Sequence, residues 1–362
     1  MNTITIIGLG YIGSSIGFGL RTKYGSKIKI TGYDSDQSAQ NNAKKVGAVT
    51  HTAWNLSNAV KDAELVIVST PPGVIEEIFA SIAGHIDPSC VVTDTAVTKR
   101  KIVEWAENHL PGQFVGGNPL VGGLQGNNEE PSGYIFSSAS WALVTPKQTP
   151  GRVIKKVTDL LDDLGANPFF LDPVEHDSFT AATVGLPAIL SATLMNIISQ
   201  SPSWHEMSKF SGPNLDMVTK PAASDPAISI GSISTNNDML IDWINRSIDS
   251  LSLIKNQLLP ERITDNNEPL INVFVQAWEE RARLDIGVAH KGKVARRQRG
   301  TVAAGAVEDD RLVAVHRHIL FHVQLEKTSR NQIGTGNVLH DYCRTPIQCK
   351  QIIRPYNGPV TQ

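Results

Sequence analysis

Three glycines near the N-terminus have the spacing of a phosphate-binding turn. Gly8, Gly10 and Gly13 form the pattern G-x-G-x-x-G directly after an apolar run that predicts a strand. The first glycine permits a tight turn, the second lets a pyrophosphate approach the backbone, and the third lets the next helix pack on the sheet. The free amides and the dipole at the helix start attract phosphates. The predicted cofactor loop comprises Gly8, Leu9, Gly10, Tyr11, Ile12 and Gly13.

An acidic residue at the end of the second predicted strand bears on the choice of cofactor. Asp34 follows the glycine motif at the spacing of about 20 residues that is typical of dinucleotide-binding domains. Its carboxylate can accept hydrogen bonds from both ribose hydroxyls and would repel a 2′-phosphate. We therefore predict that the cofactor is NAD. Ser35 and nearby lysines keep NADP open as the alternative.

A second turn that can contact a ligand follows the buried strand predicted at Glu64–Ser69. Ser69, Thr70 and Pro71 stand at the carboxyl end of that strand, which is where ligands of parallel α/β sheets bind. We predict that these residues contact the nicotinamide half of the cofactor. The alternative is a plain strand-to-helix turn that proline stiffens.

The elements that must position these residues change in character along the chain. As far as about residue 170, apolar runs without polar alternation are separated by helical patterns, which is typical of a parallel sheet buried on both faces. Right-handed crossovers then give a doubly wound sheet. We predict an α/β fold, with a doubly wound Rossmann domain at residues 1–170 and an all-helical domain at residues 171–287.

The predicted helical domain has long stretches of helical periodicity, one of which contains Pro187. Because proline removes a backbone donor and crowds the preceding turn, a kink is expected there. Many apolar positions in this half are more than a small domain can cover, so we predict an isologous homodimer through residues 173–286. The long helical stretches are Val174–Ser199, Asp225–Leu259 and Glu268–Ile286. The apolar positions include Ile189, Leu190, Leu194, Ile197, Ile198, Leu240, Ile241, Trp243 and Ile244.

The last part of the chain differs in composition from the rest. Residues 288–362 begin with a basic run and are rich in turn formers, so we predict an extension that is poorly ordered. The basic run is interpreted as a solvated tail. The histidines and cysteines of this segment fit no usual zinc spacing, and no metal is predicted.

Composition limits the classes of partner. The chain has 362 residues, 41% of them hydrophobic, and a formal net charge of −2, which gives no global attraction for nucleic acid or an anionic membrane. Three cysteines fit a reducing compartment. No signal peptide is recognisable, and no apolar run reaches the roughly 18 residues that span a bilayer. We expect a cytoplasmic protein with neither a nucleic-acid nor a membrane partner.

Several segments between residues 1 and 286 resemble the prephenate and arogenate dehydrogenase family, and they occur in the same order. The resemblance implies a Rossmann domain, a helical domain that dimerises, and an active site between them. It also implies NAD-dependent oxidative decarboxylation of prephenate or arogenate, small carboxylates of tyrosine biosynthesis. The segments are GLGYIGSSIG, STPPGVIEEIFASIAGHI, VTDTAVTKRKIVEW, FVGGNPLVGG, SWALVTP, LGANPFFLDPVEHD and PAASDP.

The positions that carry the family's chemistry hold other side chains here. The family usually has a histidine base in a G-G-H-P-M-A-G segment, and Asn118 stands at that place. An amide has no pKa suited to a general base. The family's serine falls on Val97, and two further histidines fall on Gly185 and Ala188. The arginine for the substrate carboxylate falls on Lys220, which keeps the charge and loses the bidentate fork.

These substitutions leave three interpretations open. The chain is a dehydrogenase retuned to a related cyclic or carboxylate-bearing alcohol, a catalytically impaired NAD-binding sensor or scaffold, or a slow prephenate enzyme working through water and Asn118. We predict Asn118, Lys220 and Lys99 as the residues of the substrate side, since Lys99 matches a family lysine at a helix start. His176 is interpreted as a structural residue between the domains, and Ser224 or Asp225 as a helix cap.

Overall fold

The computed structural model describes residues 2–121, 130–259 and 268–297, with the side chains of residues 269–284 in the last segment. The chain forms two compact units, Met1–Leu284 and Asp285–Gln362. The boundary predicted at residue 170 falls inside the first unit, so that division stays a prediction. The extension predicted to be poorly ordered from residue 288 is helical as far as Arg297. Its remaining residues, with the histidines and cysteines that follow Arg297, lie outside the described residues.

The N-terminal half of the first unit is built on one sheet of eight described strands, in the order 3-2-1-4-5-6-7-8. The order of the first six is that of a dinucleotide-binding domain, and these six run parallel. The strands are β1 (Thr3–Ile7), β2 (Lys29–Tyr33), β3 (His51–Thr52), β4 (Leu65–Val68), β5 (Val91–Asp94), β6 (Phe114–Leu120), β7 (Ser140–Val144) and β8 (Asn167–Phe170).

Two strands depart from the predicted parallel arrangement. β7 pairs antiparallel with β6, and β8 pairs parallel with β7, so both run against the other six. A short apolar run indicates that a strand is buried but does not specify its direction. The fold class predicted from the sequence is confirmed, with a mixed sheet in place of an all-parallel one.

Helices cover both faces of this sheet and divide its apolar side chains into two clusters. One includes Ile6, Leu20 and Leu160, and the other includes Phe79 and Phe114, whose rings meet edge to face. The helices are α1 (Tyr11–Tyr24), α2 (Gln37–Lys45), α3 (Leu56–Val60), α4 (Ile75–Ala83), α5 (Arg100–His109) and α6 (Gly151–Leu164). The sequence did not indicate α2, because its residues are almost all polar.

The C-terminal half of the first unit is helical among its described residues, as predicted. Its helices are α7 (Pro173–Thr180), α8 (Leu186–Ser199), α9 (Trp204–Met207), α10 (Pro213–Thr219), α11 (Pro226–Thr235), α12 (Asn237–Gln257) and α13 (Glu268–Arg297), the last of which continues beyond Leu284. The helix expected at Val174–Ser199 is divided by a π-helical turn at Ala181–Gly185, just before Pro187. The helix expected at Asp225–Leu259 is broken at Asn236, which separates α11 from α12.

The stretch Pro173–Ser199 is apolar over a greater length than we expected from the sequence. By length and composition alone it meets the criterion for a membrane-spanning helix, with a mean hydropathy of 1.7. Only 11% of its most apolar 18-residue window is buried within the chain. The expectation that no stretch would meet this criterion was wrong. Leu240 was predicted to be one of the apolar side chains that a dimer interface buries, but it is already buried within the single chain, at 2% exposure.

Candidate functional site

The three glycines of the cofactor loop have different steric environments. Gly8 has a φ of +91°, and a Cβ there would lie 2.4 Å from the carbonyl oxygen of Ser69. A Cβ on Gly13 would lie 2.0 Å from the carbonyl oxygen of Gly8. Gly10, the residue before α1, has no described atom within 4 Å of its Cβ position. The outer glycines are therefore required by packing, and the middle one leaves open space for a ligand.

The Asp34 carboxylate is held beside this loop at the end of β2. Its Oδ2 accepts a hydrogen bond from the backbone N–H of Leu9 at 2.7 Å. Its Oδ1 accepts one from the N–H of Asp36 at 2.9 Å. Each oxygen keeps a further lone pair, so the carboxylate is fixed in place and can still accept from another donor.

The turn after β4 packs against the glycine loop and against the helical half. The Ser69 hydroxyl accepts a hydrogen bond from Thr95 Oγ1 at 3.0 Å. Thr70 Oγ1 is buried without a hydrogen-bond partner in the described parts of the chain. A Cβ on Gly231 of α11 would lie 2.8 Å from the N atom of Gly73, so α11 packs directly on this turn. A buried hydroxyl without a partner is costly unless a ligand or water meets it.

Asn118 belongs to a buried chain of hydrogen bonds. It lies near the carboxyl end of β6 and is 2% exposed. Its Nδ2 is 3.1 Å from Nε2 of His176, and Nδ1 of His176 is 2.9 Å from Oδ1 of Asp177. Burial lowers the pKa of His176, and the charge of Lys99 lowers it too, while the Asp177 carboxylate opposes the shift. The ring is therefore neutral at pH 7, with its proton on Nδ1.

Lys99 is fully buried and forms an ion pair with Asp94. Its Nζ donates to Oδ2 of Asp94 at 2.6 Å, and to the carbonyl oxygens of Ala96 at 2.7 Å and Thr98 at 3.0 Å. Burial lowers the pKa of Lys99, and the facing carboxylate opposes that shift. Three acceptors use all three donors of the ammonium group. Lys99 as a substrate-side residue stays a prediction, and it has no donor left for a direct contact.

The Asp177 carboxylate joins the helical half to the start of α5. It accepts hydrogen bonds from the backbone N–H of Lys99 at 2.7 Å and of Arg100 at 2.9 Å. The Asn236 side chain donates to the backbone carbonyl of Asp177 at 2.8 Å. Asp94, Asp177 and Asn236 are functional-site residues that were not predicted from the sequence. The position of Asp94 at the carboxyl end of a buried strand was the one available signal.

The remaining predicted residues make no side-chain hydrogen bond with Asn118 in the described parts of the chain. Lys220 is exposed on a 3₁₀ turn, and among the described residues no hydrogen bond links it to the Asn118 cluster. Val97 is half-buried between β5 and α5. A Cβ on Gly185 would lie 2.4 Å from Cδ2 of Leu240, so Leu240 fills the space in front of it. Asp225 caps α11 through the N–H of Ala227, which confirms the predicted cap.

Two family models match successive parts of the chain. Residues 17–169 match the nucleotide-binding domain of prephenate dehydrogenase, and residues 172–274 match its dimerization domain. A prephenate dehydrogenase of Bacillus subtilis is 27% identical over 310 residues, which cover 84% of this chain and 79% of the relative. A cyclohexadienyl dehydrogenase of Zymomonas mobilis is 23% identical over 292 residues, which cover 79% of this chain and 97% of the relative.

Solved structures with the same fold include two of Aquifex aeolicus prephenate dehydrogenase. One has a TM-score of 0.64 and 25% identity, and the match covers 77% of this chain and all of the other. The second is a complex with hydroxyphenyl propionate and NAD⁺. It has a TM-score of 0.71 and 24% identity, with coverage of 78% of this chain and 98% of the other. The match extends over both the sheet and the helical half.

Proposed function

The chain belongs to the prephenate dehydrogenase family, and from that premise we propose that it transfers a hydride to NAD from a small cyclic alcohol that carries a carboxylate. Prephenate or a close relative of it is the substrate class. The observation that carries the proposal is the preserved glycine loop with Asp34 at the carboxyl edge of the sheet. Asn118 extends from the same edge, where such folds bind ligands.

The described residues of the cofactor loop fit NAD. Bound NAD would supply the hydride acceptor. The open space at Gly10 accommodates a pyrophosphate close to the start of α1. Asp34 is positioned to accept hydrogen bonds from ribose hydroxyls and disfavours a 2′-phosphate. The buried hydroxyl of Thr70 has no hydrogen-bond partner among the described residues, and we assign it to the nicotinamide half.

The substrate side would work with fewer ionisable groups than the family uses. Asn118 can orient a substrate hydroxyl by a hydrogen bond but cannot take its proton. A positioned base typically contributes about 10²–10⁴-fold to such a step. We propose that the proton leaves to water and that Lys220 attracts the substrate carboxylate as a single charge. Lys99 holds Asp94 and the start of α5 in place.

An NAD-binding sensor or scaffold is the rival function. The observation that favours it is the buried amide of Asn118, which is hydrogen-bonded to a neutral imidazole. Asn118 is the residue that we match with the family's base. Under this reading NAD binds and no substrate is oxidised.

We also propose that the helical half forms a homodimer in the cytoplasm, without a membrane or nucleic-acid partner. Residues 172–274 match a dimerization domain, and Pro173–Ser199 is largely uncovered in the single chain. Large apolar side chains there are more than half exposed: Ile197, Phe210, Met217, Val218, Ile230, Ile241, Ile248, Leu251 and Phe274. An isologous contact would remove this surface from water. Sedimentation at micromolar concentration should give a dimer, and monomer alone would refute this proposal.

Formation of NADH tests the catalytic proposal. The purified full-length protein is incubated with NAD and, in turn, prephenate, arogenate and related cyclic hydroxy acids. We expect NADH from at least one of them, and inhibition by hydroxyphenyl propionate, the ligand named in the Aquifex complex. NAD binding by calorimetry without NADH from any member of the panel would favour the sensor.

A further inference from the structure

The buried hydrogen bonds around Asn118 have a fixed direction. Oδ1 of Asp177 lies 2.9 Å from Nδ1 of His176, and a carboxylate can only accept, so Nδ1 carries the proton. A neutral ring then leaves Nε2 as an acceptor. Nε2 is 3.1 Å from the amide of Asn118, which must present its N–H₂ side to the ring. The carbonyl oxygen Oδ1 of Asn118 is consequently turned away from His176.

We propose that Asp177 and His176 set the polarity of Asn118, so that its carbonyl oxygen faces the substrate and the site selects a ligand hydroxyl over a ligand group that can only accept. This rests on the proposed function only in assuming that the ligand binds beside Asn118. His176 is thus a positioning residue, which acts on the ligand through the amide.

Because of the same geometry, adding one proton to His176 would reverse the orientation of the Asn118 amide. If His176 becomes doubly protonated, Nε2 turns from acceptor to donor and faces the donor side of the amide. Rotation of the amide by a half-turn relieves this clash and presents the N–H₂ group to the ligand. The charged groups that act on the ring are Asp177 on its own helix, Lys99 before α5 and Asp94 at the end of β5. Burial is the largest influence and favours the neutral ring.

Nitrogen NMR of ¹⁵N-histidine-labelled protein tests the direction of the hydrogen bonds without any ligand. The chain has ten histidines, and the His176→Gln variant identifies the signals of this one. We expect Nδ1 protonated and Nε2 unprotonated at neutral pH, with titration below the ordinary value of 6.5. In Asn118→Asp, both ring nitrogens would face carboxylates, and the pKa of His176 should rise above that value. A proton on Nε2 in the unaltered protein at neutral pH would overturn the proposal.

Two probes that differ at one group test the selectivity. Calorimetry compares hydroxyphenyl propionate with its methoxy analogue, each added to the NAD-loaded protein at neutral pH. We expect the hydroxyl compound to bind about tenfold more tightly, the equivalent of one hydrogen bond. The preference should vanish below the pKa of His176. The Asn118→Leu variant is the steric control, because a preference due to size alone would persist in it.

The two arms separate failure of this proposal from failure of the proposed function. Equal binding of both probes, failure of both to bind, or a preference that survives in Asn118→Leu overturns the selectivity. If the proton positions and the selectivity are as stated and no panel compound yields NADH, the polarity proposal stands and the catalytic function falls.

Discussion

The cofactor loop and the Asn118 cluster lie at the same edge of one sheet and differ in the groups that they offer to a ligand. The loop combines two glycines that packing requires, Gly8 and Gly13, with open space at Gly10 and the fixed carboxylate of Asp34. The cluster holds Lys99, His176 and Asp177 in a buried framework. Asn118 stands in it at the place where the resemblance predicts a histidine base. We therefore propose that the framework around the substrate site persists without the ionisable groups that the resemblance implies.

We expect the largest effect on kcat from introducing the histidine, serine and arginine that the resemblance implies. A triple variant with Asn118→His, Val97→Ser and Lys220→Arg should raise kcat on prephenate by about 10²-fold or more. The single variant Asn118→His should recover little, because no serine or bidentate arginine assists the imidazole. Steady-state rates of the single and triple variants check this. If the kcat gain of the triple variant only equals the product of the gains of the single variants, the idea that these groups act as a unit would be contradicted.

The triple variant leaves Gly185 unchanged because Leu240 fills the space in front of it. A side chain at that position would meet Cδ2 of Leu240, which is itself buried. A histidine introduced there would first have to displace a core residue.

Removal of the Lys99 charge tests whether the framework is structural. Lys99→Met leaves the buried carboxylate of Asp94 without its partner, so the free energy of unfolding should fall by about 3–5 kcal/mol. Lys101→Met, which removes an exposed lysine two residues further on in α5, is the matched control and should change stability by less than about 1 kcal/mol. Urea unfolding measures both. Equal stabilities for the two variants would show that Lys99 is not a structural partner.

The glycines offer a sharper contrast within the cofactor loop. Gly13→Ala places a methyl group against the backbone of Gly8 and should destabilise the fold by about 1–3 kcal/mol or more. Gly10→Ala enters open space at a permitted φ of −66°, so stability should be nearly unchanged. NAD affinity should nevertheless fall by about tenfold or more, since the pyrophosphate loses its approach to the backbone. Thermal unfolding and calorimetry together decide. Unchanged NAD binding in Gly10→Ala would remove the loop from the cofactor site.

Replacement of Asp34 should have the smallest of these effects. Asp34→Ala is expected to weaken NAD binding by about tenfold and to narrow the preference over NADP, because the acceptor for the ribose hydroxyls is lost. Asp36→Ala, an exposed neighbour that caps α2, controls for loosening of the segment. Tighter binding of NADP than of NAD by the unaltered protein would refute the cofactor assignment.

Local patterns were readable from the sequence, and contacts across the fold were not. The glycine loop and Asp34 lie within one strand-helix-strand unit, so spacing alone locates them. The contact between Asn118 and His176 joins residues 58 positions apart. No pattern at either residue indicates the other. The break at Asn236 was missed for a similar reason, since its amide caps a distant backbone carbonyl and not its own helix.

Whether the substrate side has lost its positioned base is measured by the rate of NADH formation by the unaltered protein with saturating prephenate and NAD. The substrate side lacks a positioned base, so we predict a kcat at least about 10²-fold below that of a family member with the histidine, measured in parallel. The proton positions of His176 would be unaffected by this outcome. A kcat above roughly 10 s⁻¹, the ordinary range for an enzyme, would contradict the claim that Asn118 marks a functional loss.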